Sequence, residues 1–216
     1  MVKVKICGLM EPEDVEETCK AGADMIGVII DAPGRRSVTP QRAIDLFAVV
    51  PKSVLKVAVI VNKSVDDAIR IVHELNPDYL QTHSSMSAAE LKEIKDATGV
   101  KIMAVVGVPQ KLENPREIMA RALEISKVAD FVLVDTDHKG AAGGTGLVHD
   151  WNVSRAICET IDRPLILAGG LNPNNVLAAI EFVKPYGVDV ASGVESRIGK
   201  KDQNLVKKFI QASKGK

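Results

Sequence analysis

The chain has 216 residues, enough for one large domain or two small ones, and a chain of this size buries a sizeable core without a metal or disulfide. Its 28 Lys and Arg residues balance its 28 Asp and Glu residues, which makes nucleic acids and anionic membranes poor candidates as partners. Cys7, Cys19 and Cys158 form no CxxC pair, so neither a disulfide framework nor a zinc site is predicted, and a reducing compartment, the cytoplasm, is favoured. No apolar run approaches the ~18 residues of a membrane span.

Short β-rich runs alternate with helical patterns along the chain. The runs are almost continuously apolar, which is typical of strands that are buried on both faces. There are eight of them, at residues 2–7, 24–30, 53–61, 78–83, 101–106, 130–135, 164–169 and 187–192. No low-complexity segment or linker interrupts the alternation, so residues 1–216 are predicted to form a single domain.

Helix start signals lie between these runs. Ser64 is a predicted N-cap, and residues 87–90 (SAAE) have the pattern of a capping box. Asn172 is predicted to cap a helix in which Pro173 takes the first position. The residues QNLVKKFIQ near the end of the chain repeat the amphipathic pattern of a helix.

Eight β/α units predict an α/β protein with the fold of a (β/α)8 TIM barrel. A doubly wound open sheet is the alternative, because the same alternation produces it, but a count of eight favours closure. An Asp recurs at or near the start of several runs, namely Asp24, Asp78, Asp130 and Asp189. If these residues lie at the bottom rim of the barrel, they concern stability rather than chemistry.

The carboxyl ends of the strands are where a barrel places its active site. Cys7 ends the first run, Arg36 lies in the loop after the second, and Asp135 ends the sixth. Each has an ordinary explanation as well as a functional one. Cys7 could be core packing, Arg36 a solvated residue, and Asp135 a helix cap or the partner of Lys139.

Glycines follow the last two runs, and glycine lets backbone N–H groups approach a phosphate closely. The residues concerned are Gly169, Gly170, Ser192 and Gly193, and tight βα turns are the alternative explanation. The GGTG sequence at 143–146 lacks the Lys-Ser/Thr ending of a nucleotide P-loop and is interpreted as a loop over the site, or as a disordered loop. His83, His138 and His149 lack metal-ligand spacing, so no metal is predicted.

Six short motifs in this order resemble the phosphoribosylanthranilate isomerases of tryptophan biosynthesis. They are KICGL, GRRSVTP, VLVDT, GGTG followed by DW, LAGGLNPNNV and GVDVASGVE, and the resemblance extends over residues 5–202. It implies a TIM barrel that isomerises a small phosphorylated sugar-anthranilate by an Amadori rearrangement, with no cofactor. Two departures are QTHSS, where the family usually has QLHG, and His149, where it usually has an aromatic residue.

The resemblance also implies residue roles. Asp135 would be the general acid that protonates the ribose ring oxygen, and Cys7 the general base that removes the C2′ proton. Arg36 would hold the anthranilate carboxylate, and the phosphate would be held by the backbone of Gly169, Gly170, Ser192 and Gly193. We expect nearby cationic groups to bring the pKa of the Cys7 thiol toward neutrality.

Three other functions are alternatives to this one. The sugar isomerases of the histidine pathway have Asp at the position of Cys7, and indole-glycerol-phosphate synthases have lysines at several strand ends. A barrel that only binds phosphorylated sugars would keep the glycines but would not need both Cys7 and Asp135. The sequence does not predict the oligomeric state.

Overall fold

The computed structural model describes residues 1–83, 86–110, 114–137 and 148–215. Every predicted run forms a strand, and three short strands that the sequence did not predict are added. In chain order the strands are β1 (Lys3–Cys7), β2 (Met25–Ile30), β3 (Ser37–Val38), β4 (Leu55–Val61), β5 (Tyr79–His83), β6 (Lys101–Pro109), β7 (Phe131–Asp137), β8 (Leu165–Leu167), β9 (Gly187–Val190), β10 (Glu195–Arg197) and β11 (Lys200–Lys201).

Helices connect the longer strands. They are α1 (Pro12–Lys20), α2 (Pro40–Ala48), α3 (Val65–Leu75), α4 (Ala88–Thr98), α5 (Pro115–Ser126), α6 (Trp151–Thr160), α7 (Val176–Val183) and α8 (Gln203–Lys214), with a short 3₁₀ helix at Ser192–Val194. Within the described residues, no helix is long and apolar enough to cross a membrane.

The main sheet closes on itself. Its strands are paired in the order β1-β9-β8-β7-β6-β5-β4-β2, and β1 also pairs with β2. All of these pairings are parallel, so the TIM barrel is confirmed and the open-sheet alternative is excluded. Because the strands are parallel, their carboxyl ends all meet at one rim.

Alternation along the strands divides the apolar side chains between two cores. One core fills the space between the barrel and the helices. The other fills the barrel interior and contains Cys7, Met25, Val57, Met103 and Ile166 among its members. Cys7 therefore points into the barrel, as do the side chains two and four residues before it on β1.

Two of the three helix starts are confirmed. Ser64 accepts a hydrogen bond from the Asp67 backbone N–H, and Ser87 forms the capping box with Glu90. The start predicted at Asn172 is wrong, because α7 begins only at Val176. The Asn172 side chain accepts from the Asn174 N–H at 2.9 Å, which holds a turn in place of the first helical turn.

Three of the four recurring Asp residues lie at the bottom of the barrel, where such residues concern stability. Asp24, Asp78 and Asp130 accept hydrogen bonds from backbone N–H groups of the preceding strand, at 3.0, 2.7 and 2.8 Å respectively. The condition does not hold for Asp189, which lies within β9 and pairs with Lys5 inside the barrel.

Replacing Asp130 with Ala should destabilise the barrel. The change removes the acceptor for the Ile102 N–H at 2.8 Å and for the Lys95 ammonium at 2.9 and 2.8 Å. Leaving a partly buried N–H unpaired costs about 1–3 kcal/mol in the free energy of unfolding. Urea unfolding measures this loss, and Asp162→Ala at an exposed position is the control. Equal stability of Asp130→Ala and wild type would contradict the role assigned to this carboxylate.

Candidate active site

Cys7 lies at the rim of the barrel, as the last residue of β1, and only 5% of its surface is exposed. Burial raises the pKa of its thiol above the ordinary value; the charge of Lys5 works against this rise, Asp189 adds to it, and Lys201 opposes it more weakly. The expectation that cationic groups would bring this pKa toward neutrality is therefore wrong, because the cost of burying a thiolate exceeds their effect.

Arg36 is held by an acidic residue from the opposite end of the chain. Its Nε and Nη2 donate to the two carboxylate oxygens of Glu195, each at 2.8 Å. The buried Lys201 donates to the same carboxylate at 3.1 Å and to the Ala191 carbonyl at 2.9 Å. Although burial acts to raise the pKa of Glu195, its bonds to Arg36 and Lys201 keep it below the ordinary value. One edge of the guanidinium is therefore already occupied.

Asp135 lies near the end of β7, on the strand face that points into the barrel. One of its carboxylate oxygens, Oδ2, lies 3.2 Å from Nε2 of His83 at the end of β5. The other, Oδ1, accepts the Thr136 backbone N–H at 2.7 Å. The carboxylate is thus oriented on both sides while part of its surface stays open to the barrel mouth.

A chain of buried polar groups lies behind Asp135. The Thr136 hydroxyl is 2.9 Å from Nδ1 of His149, and Nε2 of the same imidazole is 2.6 Å from the Ser154 hydroxyl. Burial lowers the pKa of His149 to about 4, against the smaller opposing effects of Asp135 and Asp150. His149 is therefore neutral at physiological pH and connects β7 to α6.

Glycine is required at two places on the rim by the close approach of neighbouring loops. A Cβ at Gly169 would lie 2.2 Å from the Thr136 hydroxyl, and a Cβ at Gly193 would lie 1.9 Å from the Leu171 carbonyl oxygen. Both distances are far below van der Waals contact. The tight-turn explanation of these glycines therefore holds in its own right, whether or not a phosphate binds beside them.

The same two loops also present backbone hydrogen-bond donors that have no acceptor in the described part of the chain. The backbone N–H groups concerned are those of Gly169, Gly170, Ser192 and Gly193. Among the residues that the structure describes, none of these groups donates to a backbone carbonyl or to a side chain. The loops after β8 and β9 are neighbours, because β8 pairs with β9.

Residues 4–212 match the family described as "PRAI: N-(5'phosphoribosyl)anthranilate (PRA) isomerase". The chain belongs to this family.

Individual members agree with this assignment. The N-(5'-phosphoribosyl)anthranilate isomerase of Haloferax volcanii is 42% identical over 216 residues, which cover 99% of this chain and 94% of the relative. That of Methanothrix thermoacetophila is 42% identical, covering 98% of this chain and 97% of the relative. The solved phosphoribosyl anthranilate isomerase of Thermotoga maritima has a TM-score of 0.88 at 31% identity, with all of both chains covered. Another solved isomerase, in complex with reduced 1-(o-carboxyphenylamino)-1-deoxyribulose 5-phosphate, has a TM-score of 0.85 at 31% identity and the same coverage.

The two departures from the usual isomerase motifs differ in their position. Thr82, where the family usually has Leu, is buried on the same face of β5 as Leu80, which belongs to the outer core. It therefore does not reach the barrel interior. His149 does reach the rim indirectly, through Thr136. Ser84, Ser85, His138, Lys139 and the GGTG loop at 143–146 lie outside the described residues.

Several polar residues at the rim or just beneath it are not identified by the sequence patterns. No pattern gives Lys5 or Lys201 a functional role, and the histidine spacing bears on His83 only as a metal ligand. The position of Lys5, two residues before Cys7, could have indicated that it lies near this thiol, because residues two apart on a strand share one face. In the described part of the chain, no group of three or more His, Cys, Asp and Glu side chains is arranged to hold a metal ion.

The low pKa of His149 predicts a loss of stability in acid. Unfolding returns the imidazole from a pKa of about 4 to its ordinary 6.5, so the unfolded state binds more protons between these values. The neutral imidazole therefore makes its full contribution to the stability of the fold above pH 6.5, and this contribution is lost as the pH falls toward about 4. Urea unfolding at pH 7 and near the acid end of this window should show wild type losing about 2–3 kcal/mol more than His149→Gln. Parallel losses in the two proteins would contradict the assignment.

Proposed function

We propose that this protein converts N-(5′-phosphoribosyl)anthranilate into 1-(2-carboxyphenylamino)-1-deoxyribulose 5-phosphate by general acid–base catalysis. The observation that carries the proposal is that a thiol and a carboxylate lie at one rim of the barrel, beside four backbone N–H groups that have no acceptor among the described residues. These parts match the acid, the base and the phosphate site that the reaction needs. The isomerase relatives support the same substrate.

Asp135 is proposed as the general acid. Its proton passes to the ribose ring oxygen, the ring bond to C1′ breaks, and the anthranilate nitrogen supplies the electrons for a protonated imine. The hydrogen bond from the Thr136 N–H at 2.7 Å fixes one oxygen, which leaves Oδ2, near His83, to carry the proton. After each turnover Asp135 must regain a proton from solvent.

Cys7 is proposed as the general base. Its thiolate takes the C2′ proton from the protonated imine, which gives the enol of the aminoketose. The enol becomes the ketone by losing its hydroxyl proton and gaining a proton at C1′, and Cys7 releases the C2′ proton to solvent before the next turnover. Because burial raises the pKa of this thiol, only a small fraction of the free enzyme carries the thiolate at neutral pH. The rate is therefore expected to rise with pH through the neutral range.

Arg36 is proposed to bind the anthranilate carboxylate, with a restriction that the sequence did not indicate. Glu195 occupies the Nε and Nη2 edge of its guanidinium, so the substrate carboxylate is left with the Nη1 end. The Lys201 ammonium, bonded to the same Glu195, offsets the negative charge of that carboxylate. The group formed by Arg36, Glu195 and Lys201 thus keeps a formal charge of plus one for an anion.

The phosphate of the substrate is proposed to bind between the loops after β8 and β9. Backbone N–H groups are well suited to this anion because they carry partial positive charge and need no side-chain ordering. The cradle would consist of the N–H groups of Gly169, Gly170, Ser192 and Gly193.

We also infer the setting in which the chain works. A base thiol must stay reduced, and the three cysteines are unpaired, which supports the cytoplasm as its location. Residues 1–216 are proposed to form a single domain. In support, the ammonium of Lys214, at the end of α8, reaches back to the Gly22 carbonyl at 2.8 Å and to Asp24 at 2.9 Å.

The test of function is turnover of phosphoribosylanthranilate, generated in place because it is labile, followed by the fall in anthranilate fluorescence. Cys7→Ser should lose a factor on the order of 10²–10⁴ in kcat, because a hydroxyl is far too weak a base. Its melting temperature should stay near that of wild type. Asp135→Asn should disable ring opening separately, and Cys158→Ser on α6 is the control that keeps full turnover.

Two outcomes would contradict this function. A spectral shift without consumption of substrate by wild type would identify a binding protein rather than an enzyme. Near-normal turnover by Cys7→Ser would leave the thiol as packing and refute the proposed base.

The phosphate cradle predicts binding of inorganic phosphate. Phosphate should inhibit turnover competitively and raise the melting temperature with increasing concentration, because it binds only the folded state. Chloride at matched ionic strength is the control. If phosphate protects no better than chloride, the anion site lies elsewhere. Substituting Gly193 would not test the site, since any side chain there meets the Leu171 carbonyl first.

A further inference from the structure

An ion pair lies inside the barrel, where most neighbouring side chains are apolar. The side chain of Lys5 has no exposed surface, and its Nζ is 3.0 Å from Oδ1 of Asp189, which is itself buried. Met25, Val57 and Ile166 belong to the apolar core of the same interior. A buried ion pair rarely stabilises a fold more than apolar side chains of similar volume would. Its presence therefore calls for a reason other than stability.

The pair lies directly beneath Cys7. Lys5 and Cys7 are two residues apart on β1, so their side chains lie on the same face of the strand. Lys5 is the register partner of Asp189 on β9. Gly27 on β2 faces both: a Cβ there would be 2.8 Å from the Cys7 Sγ and 3.0 Å from the Lys5 Nζ. Because glycine has no side chain, the Cys7 thiol and the Lys5 ammonium share the space beside Gly27.

Charged groups from several elements surround this thiol. Lys5 on β1, Arg36 in the loop after β2, and Lys201 on β11 supply three formal positive charges, whereas Asp189 on β9 and Glu195 on β10 supply two negative ones. The set carries a formal excess of one positive charge. Because Lys5 and Asp189 balance each other, this excess belongs to the Arg36, Glu195 and Lys201 group that is proposed to bind the substrate carboxylate, and Lys5 acts on the thiol through its closeness to Cys7.

We propose that Lys5 is a positioning residue that stabilises the Cys7 thiolate, and that Asp189 restrains and orients Lys5 from the opposite side. The inference rests on the proposed function for its meaning in catalysis. Lys5 does not touch the substrate, because it has no surface at the barrel mouth. It acts through the charge that it places next to the base.

The electrostatics of the pair agree with this division of roles. Among the charges near Cys7, Lys5 has the largest effect in lowering the thiol pKa, and Asp189 acts to raise it. Burial favours the neutral amine of Lys5, yet Asp189 and Cys7 together hold the pKa of Lys5 above its ordinary value. Replacing either member of the pair should therefore shift the thiolate fraction, and the two replacements should shift it in opposite directions.

The test measures the rate at which iodoacetamide alkylates Cys7, since the thiolate is the reacting species. Mass spectrometry assigns the modified cysteine. At a fixed, mildly alkaline pH, Lys5→Met should react roughly three- to tenfold more slowly than wild type, and Asp189→Asn faster by a similar factor. Lys3→Met is the matched control: it removes a lysine from the same face of the same strand, where Lys3 pairs with Asp24 at the bottom of the barrel.

The double variant Lys5→Met/Asp189→Asn is the control for misfolding caused by an unpaired buried charge. It removes both charges, so no buried carboxylate is left without a partner. Circular dichroism and thermal unfolding should show a native fold, and alkylation should remain slower than in wild type because the effect of Lys5 exceeds that of Asp189.

The pH profile of turnover provides an independent measurement. Lys5→Met should lower kcat more than KM changes, and its deficit should shrink as the pH rises and more thiolate forms. Equal alkylation rates in wild type, Lys5→Met and Asp189→Asn would overturn the inference, as would shifts of both variants in the same direction. Alkylation needs no turnover, so a chain that fails to isomerise phosphoribosylanthranilate could still pass or fail this test.

Discussion

The pairing of β1 with both β2 and β9 is the constraint on which the rest of the molecule depends. It closes the sheet, so all carboxyl ends meet at one rim and the barrel gains an interior without sheet edges. It also places β1 between Gly27 on one neighbour and Asp189 on the other. The space at Gly27 and the carboxylate at Asp189 then define where the Cys7 thiol and the Lys5 ammonium must lie.

The rim and the barrel interior just beneath it carry a network of charged groups on an otherwise apolar barrel. Its ion pairs join residues from the first and last parts of the chain, such as Lys5 with Asp189 and Arg36 with Glu195. Burying these groups costs solvation energy that their mutual attraction only partly returns. That cost is consistent with the proposed roles of this region as the surroundings of a base and of an anion site. The raised pKa of the Cys7 thiol has a related cause, because burial raises this pKa more than the nearby cations lower it.

The acid side of the rim is built differently. Asp135 is held by the backbone of Thr136 and by His83, and Thr136 in turn contacts the neutral imidazole of His149. Gly169 packs closely against Thr136, so the loop after β8 lies against the end of β7. Thr136 therefore contacts both the strand that carries the proposed acid and the loop of the proposed phosphate cradle.

The sequence by itself determined the parts that depend on local patterns. Apolar runs located every strand of the barrel, and their ends identified Cys7 and Asp135, because strand periodicity and the rule that barrel sites lie at carboxyl ends need no knowledge of partners. Only the tertiary structure decided which charges meet. Lys5 and Asp189 are 184 positions apart in the chain, and Arg36 and Glu195 are 159 apart, so closure and register alone bring them together. The same long-range contacts decided that burial, rather than nearby positive charge, controls the pKa of Cys7.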